Sequence, residues 1–290
     1  VGHKRISTTE RYLKLVEEAN TLKDRILNQY PNADIKESKI QKKKYEDIRD
    51  YKKKISALID IVEYHKKILY DFENKTYEQL TNYIDELNKL SKRNTRRKIK
   101  TISHALDLEY YSALSLISLN DAKKIIPNYK LGDDNIPISF APSDNPDIEC
   151  YYNNFNMICE VTRLRTRDQW IHEGQPVMRH LRDFEDRVDK DVNYCLFVAP
   201  VIHRDTLNTF WNANKYGYEG EKQRIIPLNI KQFNEILKIS LEKYKKLNPI
   251  DSCDIYNLLD SIYGELKNHD NSRDWIKKID NIIDEWKKRL

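Results

Sequence analysis

The chain has 290 residues, of which 39% are hydrophobic and 33% are charged. These values predict a globular protein of one or two domains. No apolar run approaches the roughly 18 residues that a membrane helix needs, and the first residues lack the pattern of a signal peptide. The four cysteines have no zinc-binding or disulfide spacing, so we expect reduced, packed thiols. We therefore expect a cytoplasmic protein without a membrane partner.

The net charge of +5 is unevenly distributed along the chain. Residues 1–100 contain 25 Lys and Arg against 16 Asp and Glu, a net +9, whereas residues 101–290 contain 26 against 30, a net −4. The densest basic cluster, at residues 92–100, includes Arg96, Arg97 and Lys98. This asymmetry predicts an anionic partner such as DNA for the first part and a bound cation in the second.

Residues 8–94 contain few glycines or prolines and show the apolar spacing of helices. We predict three helices here, with the clearest break at Pro31-Asn32. A fourth helix is predicted near 97–118, with an apolar stripe that includes Leu106 and Ala113. Glu109 lies three residues after the first of these and four before the second, so it should face the stripe.

Residues 146–162 alternate as two strands of a hairpin, with Asp147 where the first begins and Glu160 near the end of the second. No Lys or Arg occurs between Lys130 and Arg163. The acids in that interval are Asp133, Asp134, Asp144, Asp147, Glu149 and Glu160. Such a segment concentrates negative potential where a hard cation could bind. The arginines that follow it, Arg163, Arg165 and Arg167, could hold DNA phosphates.

The second part of the chain reads as an α/β core with a mixed sheet flanked by helices. Pro176 is well placed to open a helix that runs to about 189, and Glu173 and His180, seven residues apart, could lie on one side of it. The elements predicted beyond are a strand at 194–200, a helix at 204–214, a strand at 224–228 and helices to the end. We divide the chain into a helical, basic, DNA-facing region (1–95), the core (96–240) and C-terminal helices packed on the core (241–290).

Several motifs occur in an order that closely resembles the AlwI-type family of restriction and nicking endonucleases. They are Pro146-Asp147, Glu160-Val161-Thr162, Gln169, Glu173, Pro176-Val177, Arg179-His180, residues 194–200, residues 225–228 and Gln232-Phe233. The strong match covers about residues 100–240. This resemblance implies a FokI-like, type IIS cleavage module of the PD-(D/E)xK fold.

The resemblance also implies the site. Magnesium (Mg²⁺) would be bound by Asp147, Glu160, Val161 and Glu109, with Glu109 as the upstream helical carboxylate. Glu173 and His180 would join Glu109, Asp147 and Glu160 in the active site. Thr162 stands where the motif has a lysine, which leaves that role to Glu173, His180 or an arginine of 163–167. We favour His180 as a polar aid to the attacking water or the leaving group.

These observations together predict a Mg²⁺-dependent endonuclease that hydrolyses the phosphodiester bonds of double-stranded DNA. One such site cuts one strand, so cleavage of both would need a second copy or a second nuclease subunit. The sequence starts without methionine and shows no recognition region, so we expect a fragment or a subunit whose partner reads the DNA. Two alternatives stay open: a non-catalytic helical DNA-binding or assembly protein on a nuclease scaffold, and a nuclease that acts on RNA or single strands.

Overall fold

The computed structural model describes residues 8–29, 77–93, 102–119, 122–133, 136–188, 192–245 and 249–290, together with parts of 54–66. The chain forms two compact units, residues 1–77 with 243–248, and residues 78–242 with 249–290. The three-part division at residues 95 and 240 stays a prediction. In the described part of the chain, no helix is long and apolar enough to span a membrane.

The first unit contains helix α1 (Thr8–Gln29), which ends two residues before the predicted break at Pro31. Residues 54–66 are helical wherever they are described. Two side chains of this stretch contact α1: Lys66 Nζ forms an ion pair with Glu18 Oε1 at 2.6 Å, and His65 Nδ1 donates to the carbonyl of Ala19 at 3.2 Å.

The remaining described residues alternate between helices and short strands. The elements are α2 (Tyr77–Leu90), α3 (His104–Leu119), β1 (Lys124–Pro127), β2 (Lys130–Leu131), β3 (Pro137–Ser139), β4 (Ile148–Tyr151), β5 (Asn156–Val161), α4 (Arg167–Glu185), β6 (Asn193–Ala199), α5 (Arg204–Lys215), β7 (Ile225–Asn229), α6 (Ile230–Lys245), α7 (Ser252–Glu265), a 3₁₀ turn (Leu266–Asn268), α8 (Ser272–Ile276) and α9 (Ile279–Arg289).

Five strands form the main sheet, in the order β1-β4-β5-β6-β7, while β2 and β3 pair separately. The β1–β4 and β4–β5 pairs are antiparallel, and the β5–β6 and β6–β7 pairs are parallel. The predicted hairpin at 146–162 is the antiparallel β4–β5 pair. The predicted mixed sheet is thereby confirmed.

Helices cover both faces of this sheet, and strand alternation decides which residues they meet. On β5, Met157 and Cys159 belong to the larger core, which includes residues of α2, α3, α6, α7 and α9. Ile158 belongs to the smaller core formed with α4 and α5. Because successive residues point to opposite faces, Glu160 lies on the same face as Ile158, beneath α4. The alternation therefore turns this acid toward the helix that carries Glu173 and His180.

Helix α4 begins nine residues earlier than predicted. It starts at Arg167, and the side chain of Thr166 caps it by accepting from the backbone N–H of Asp168. Pro176 therefore lies inside the helix, where it provides no N–H for the fourth residue before it. The prediction was wrong because it took this proline for the helix start. Buried side chains of the same helix, among them Leu181 and Phe184, offset the lost hydrogen bond through packing.

Gly174, two residues before that proline, allows close contact within α4. A Cβ atom there would meet Trp170 Cδ1 at 3.1 Å, tighter than most such contacts. Because the glycine leaves this space, the indole lies against the helix, and its Nε1 donates to Thr209 Oγ1 of α5 at 3.0 Å. The two helices over this face of the sheet are thus joined by a polar contact beside their apolar one.

Phe155→Ala should lower the free energy of unfolding by about 3–5 kcal/mol, because it removes a large side chain from a packed core. Phe155 is fully buried, stacks on Tyr152 at 4.4 Å between ring centroids and meets Tyr194 edge-on at 5.9 Å. The matched control is Phe140→Ala at a ring that is 40% exposed, where we expect a much smaller change. Chemical denaturation followed by circular dichroism measures both, and equal effects would contradict the packing described here.

Candidate active site

Asp147 and Glu160 face each other across the β4–β5 hairpin. Ile148 of β4 pairs with Cys159 of β5, so the next position along the ladder places Asp147 opposite Glu160. The backbone N–H of Val161 donates to Asp147 Oδ2 at 2.8 Å, which fixes that carboxylate against the end of β5. The two acids that the sequence singled out are therefore neighbours at one edge of the sheet.

Glu109 and Glu173 bring two more carboxylates to the same place from two helices. Glu109, on α3, is only 5% exposed and accepts a hydrogen bond from the backbone of Ala141, while its Oε2 atom is buried without a hydrogen-bond partner. Glu173, on α4, is half-buried and accepts from the hydroxyl of Thr162. The charges of the four predicted acids act on one another, so the four lie close together, and we call the region between them the acidic pocket.

Their mutual repulsion adds to the effect of burial on their protonation. Burial raises the pKa of Glu109 to about 8, and the charges of Glu160 and Glu173 contribute to the rise. Burial, followed by the charges of Glu160 and Glu109, raises the pKa of Asp147 well above its usual value. Burial also raises the pKa of Glu173, although its bond to Thr162 opposes the rise. Ionising all four acids at such short separations has a high free-energy cost, so the pocket attracts protons or a cation.

His180 binds the central acid of this group with one ring nitrogen and the backbone with the other. Its Nδ1 lies 2.8 Å from Glu160 Oε1, and its Nε2 lies 3.0 Å from the carbonyl oxygen of Ser143. A carbonyl only accepts, so Nε2 carries a proton, and an ionised Glu160 requires a second proton on Nδ1. Burial lowers the pKa of His180, but the bond to Glu160 and its charge outweigh this, and the net shift is upward.

This geometry favours the charged form of Glu160, although burial leaves the net shift of its pKa upward. Burial raises the pKa of Glu160, and the hydrogen bond and charge of His180 oppose that rise. Because both ring nitrogens are engaged, His180 has no free nitrogen with which to take a proton from water. His180 therefore orients Glu160 and favours its ionised form.

At the position of the motif lysine, Thr162 holds a carboxylate in place. Its backbone N–H donates to the carbonyl of Val198 at 3.0 Å, which extends the β5–β6 pairing by one residue. Its hydroxyl accepts from the backbone of Leu164 at 3.2 Å and donates to Glu173. The group that approaches the site from this side is therefore Glu173, delivered by α4.

Gln169 ties together the loops that follow β5 and β6. Its Nε2 donates to the carbonyls of Leu164 and Val201 at 2.7 and 2.8 Å, and its Oε1 accepts from the backbone of His203 at 2.7 Å. The residue is fully buried, and its amide satisfies three backbone groups at once. Since Leu164 also bonds Thr162, this amide supports the loop that positions Glu173.

The arginines after Glu160 have structural partners. Arg163 donates to the carbonyls of Leu90 and Lys92 at 3.1 and 2.7 Å, and Arg165 donates to that of Ser91. Cations at these carbonyls are favourable because the end of a helix, here α2, exposes unpaired C=O groups. Arg167 is exposed, with its guanidinium 5.5 Å from the centre of the Trp170 ring. The predicted DNA-binding residues Arg96, Arg97 and Lys98 lie outside the described residues.

A ready-made metal cage is not present in the described part of the chain, where no three His, Cys, Asp or Glu side chains are grouped closely enough to hold an ion. Mg²⁺ does not need such a cage, because it usually keeps several waters and binds one or two carboxylates. Asp147 and Glu160 offer that pair, and a cation nearby would satisfy the buried Oε2 atom of Glu109, which has no hydrogen-bond partner. The oxygen-rich donor set fits a hard divalent ion.

The fold is that of a restriction endonuclease. A family model for the AlwI restriction endonuclease matches residues 3–236, so the chain belongs to that family. Among solved structures, it is similar to the small subunit of the heterodimeric restriction endonuclease R.BspD6I, with 20% sequence identity and a TM-score of 0.55. That similarity covers 69% of this chain and 98% of the other, and it supports the fold. No curated protein matches the chain.

Sequence reasoning did not find the backbone groups that complete the site. Ala141 contacts Glu109, and Ser143 contacts His180. The only indication of these contacts in the sequence is the set of prolines at 137, 142 and 146, which predicts a loop. Gln169 is one of the residues that resemble the family, but the sequence predicted no contact for it. Its three backbone bonds depend on loops that meet only in the folded chain.

Glu109→Gln should weaken the pH dependence of stability in metal-free protein. The folded-state pKa of about 8 exceeds the unfolded value of roughly 4.3, so the contribution of this acid to stability is complete below the lower value and is lost as the pH rises through the higher one. The wild-type free energy of unfolding should therefore fall more steeply between pH 5 and 8 than that of the variant. Denaturation in EDTA at several pH values measures this, with Glu285→Gln, 62% exposed, as the control that should parallel wild type. Parallel curves for all three proteins would contradict the assignment.

Proposed function

We propose that this protein is a Mg²⁺-dependent DNA endonuclease that hydrolyses phosphodiester bonds as a cleavage domain or subunit of a type II restriction or nicking enzyme. The observation that carries the proposal is the convergence of four carboxylates, one with a partnerless buried oxygen, at the edge of a restriction endonuclease fold. A pocket that disfavours its own charge is suited to binding a divalent cation.

In this proposal Asp147 and Glu160 hold the ion directly, the Oε2 atom of Glu109 binds it through a coordinated water, and Val161 can contribute only its backbone carbonyl. When bound, the ion would neutralise charge on the scissile phosphate and make a coordinated water more acidic. The Val161 N–H holds Asp147 and the His180 imidazolium holds Glu160, so both carboxylates are fixed before DNA arrives. Such preorganisation reduces the reorganisation needed during the reaction.

Glu173 is the residue that we assign to the attacking water. It is half-buried, so it borders both the pocket and the solvent, and Thr162 fixes its carboxylate. Burial raises its pKa, which makes it a better proton acceptor than an exposed glutamate. In this mechanism Glu173 accepts the proton of the water that attacks phosphorus, the bond from phosphorus to the leaving 3′ oxygen breaks, and that oxygen takes a proton from solvent. His180 keeps its protons and orients Glu160.

One active site of this kind cuts one strand, so we also propose a second copy or a second nuclease subunit for cleavage of double-stranded DNA. The similar R.BspD6I chain is the small subunit of a heterodimer, which favours the second possibility. Recognition of the DNA sequence would then rest with a domain or subunit other than the residues described here.

The first test is cleavage of supercoiled plasmid by wild type, Asp147→Asn and Asp144→Asn, each with Mg²⁺ and with EDTA. Asp147→Asn keeps the size of the side chain but removes a metal-binding charge, so nicking should fall to background. Asp144 is an exposed acid in the preceding loop, and its variant should cut like wild type. Gel electrophoresis of nicked, linear and supercoiled forms gives the rates and shows whether one strand or both are cut.

The non-catalytic alternative makes the opposite prediction for the same samples. A DNA-binding module would leave the plasmid intact and would hold DNA equally well in EDTA. If wild type neither nicks nor linearises DNA, alone or with a recognition partner, the nuclease proposal fails. Cleavage of RNA or of single strands only would keep the chemistry and change the substrate.

Glu173→Gln should lower kcat by roughly 10²–10⁴-fold, because it removes the proton acceptor while keeping the size of the side chain. Mg²⁺ binding, measured by isothermal titration calorimetry, should be affected much less than with Asp147→Asn. The control is Asp183→Asn, an exposed acid on the same helix, which should leave kcat unchanged. Wild-type kcat for Glu173→Gln would reject the assignment of this residue.

A further inference from the structure

Most arginines around α4 are committed to contacts within the protein. Arg163 and Arg165 bind the carbonyls at the end of α2. Arg182 donates to the carbonyls of Tyr218 and Glu221 and forms an ion pair with Glu185 at 3.0 Å. These guanidinium groups hold the fold together and have few donors left for a ligand.

Arg179 differs from them, although it lies on the same helix. It is exposed, and in the described part of the chain it forms neither an ion pair nor a hydrogen bond. It directly precedes His180, and its charge is near enough to act against the raised pKa of that imidazole. An uncommitted cation therefore lies beside the acidic pocket.

Helix geometry places Arg179 on the solvent side of the pocket. At roughly 100° per residue, positions seven apart nearly coincide around the axis. His172 and Arg179 therefore share a stripe, and each immediately precedes a site residue, Glu173 or His180. Both stripe residues are exposed, as is Gln175 between them. These exposed residues lie at the outer edge of the pocket, on the side where half-buried Glu173 reaches solvent.

A polyanionic substrate needs positive charge outside an acidic pocket. Four carboxylates repel DNA, and a metal ion compensates mainly at the phosphate it contacts. An adjacent phosphate of the same strand, held by a cation on the rim, would fix the position of the strand without reading its sequence. Arginine suits this task because its planar fork matches the phosphate oxygens.

We propose that Arg179, flanked by His172, binds a backbone phosphate of double-stranded DNA next to the bond to be cut. This assignment rests on the proposed endonuclease function and places the phosphate contact on α4, in addition to any made by the basic segment near residues 92–100. It also gives a role to an arginine of α4 that forms no ion pair or hydrogen bond in the described part of the chain, whereas Arg182 of the same helix donates to two carbonyls and pairs with Glu185.

The test measures DNA binding without cleavage, in an Asp147→Asn background with Mg²⁺, using a fluorescent duplex and anisotropy over a range of KCl concentrations. Loss of one phosphate contact should reduce the slope of log K against log salt by about 0.9. Arg179→Ala should show that reduction together with weaker binding, and Arg179→Lys should restore most of the slope because the charge remains. The control is Arg273→Ala, at an exposed arginine of α8, which should leave the slope unchanged.

An unchanged slope for Arg179→Ala, or a change no larger than that for Arg273→Ala, would overturn the proposal. Absence of measurable binding at low salt in the Asp147→Asn background would overturn it as well. Failure of the nuclease proposal is recognised separately, because it appears as uncut plasmid with wild-type protein. A salt slope that depends on Arg179 together with uncut plasmid would mean a DNA-binding surface on a non-catalytic scaffold.

Discussion

The contact between His180 and Glu160 is the interaction on which the geometry of the site depends. It places the imidazole Nδ1 2.8 Å from the acid at the centre of a cluster of four carboxylates. Burial raises the pKa of Glu160, and the hydrogen bond and charge of His180 oppose that rise. The second bond of the imidazole, to Ser143, fixes the loop over the pocket to the same helix. One side chain thus orients an acid, favours its charged form and fixes the position of a loop.

Helix α4 is the element that makes this contact possible. Gln169 near its start joins the loops after two parallel strands, Glu173 projects one turn later toward Thr162, and His180 follows after two more turns. Gly174 and Pro176, which interrupt most helices, lie within it. Their cost is offset by the buried face of the helix and by the bond from Trp170 to α5. A single helix therefore carries Glu173, His180 and the amide of Gln169 that joins the two loops.

The sequence was informative where a local period determines the outcome. Alternation along residues 146–162 predicted a hairpin that carries Asp147 and Glu160, and the spacing around Glu109 correctly predicted an acid on the apolar face of a helix. It was wrong about Pro176, because a proline can either begin a helix or lie within one, and this proline lies inside α4. It could not indicate that Arg163 reaches the end of α2, because that carbonyl is 73 residues away along the chain and meets it only through tertiary packing.

The raised pKa values of the clustered acids also mean that the pocket binds protons. At neutral pH some of its carboxylates retain hydrogen, since the pKa of Glu109 alone is raised to about 8. In the proposed mechanism a divalent ion would displace those hydrogens as it enters, so ion uptake and proton release would be one event. The apparent affinity for the ion would then rise as the surroundings become more alkaline. Such a site would report the acidity of its compartment through the fraction of molecules that carry an ion.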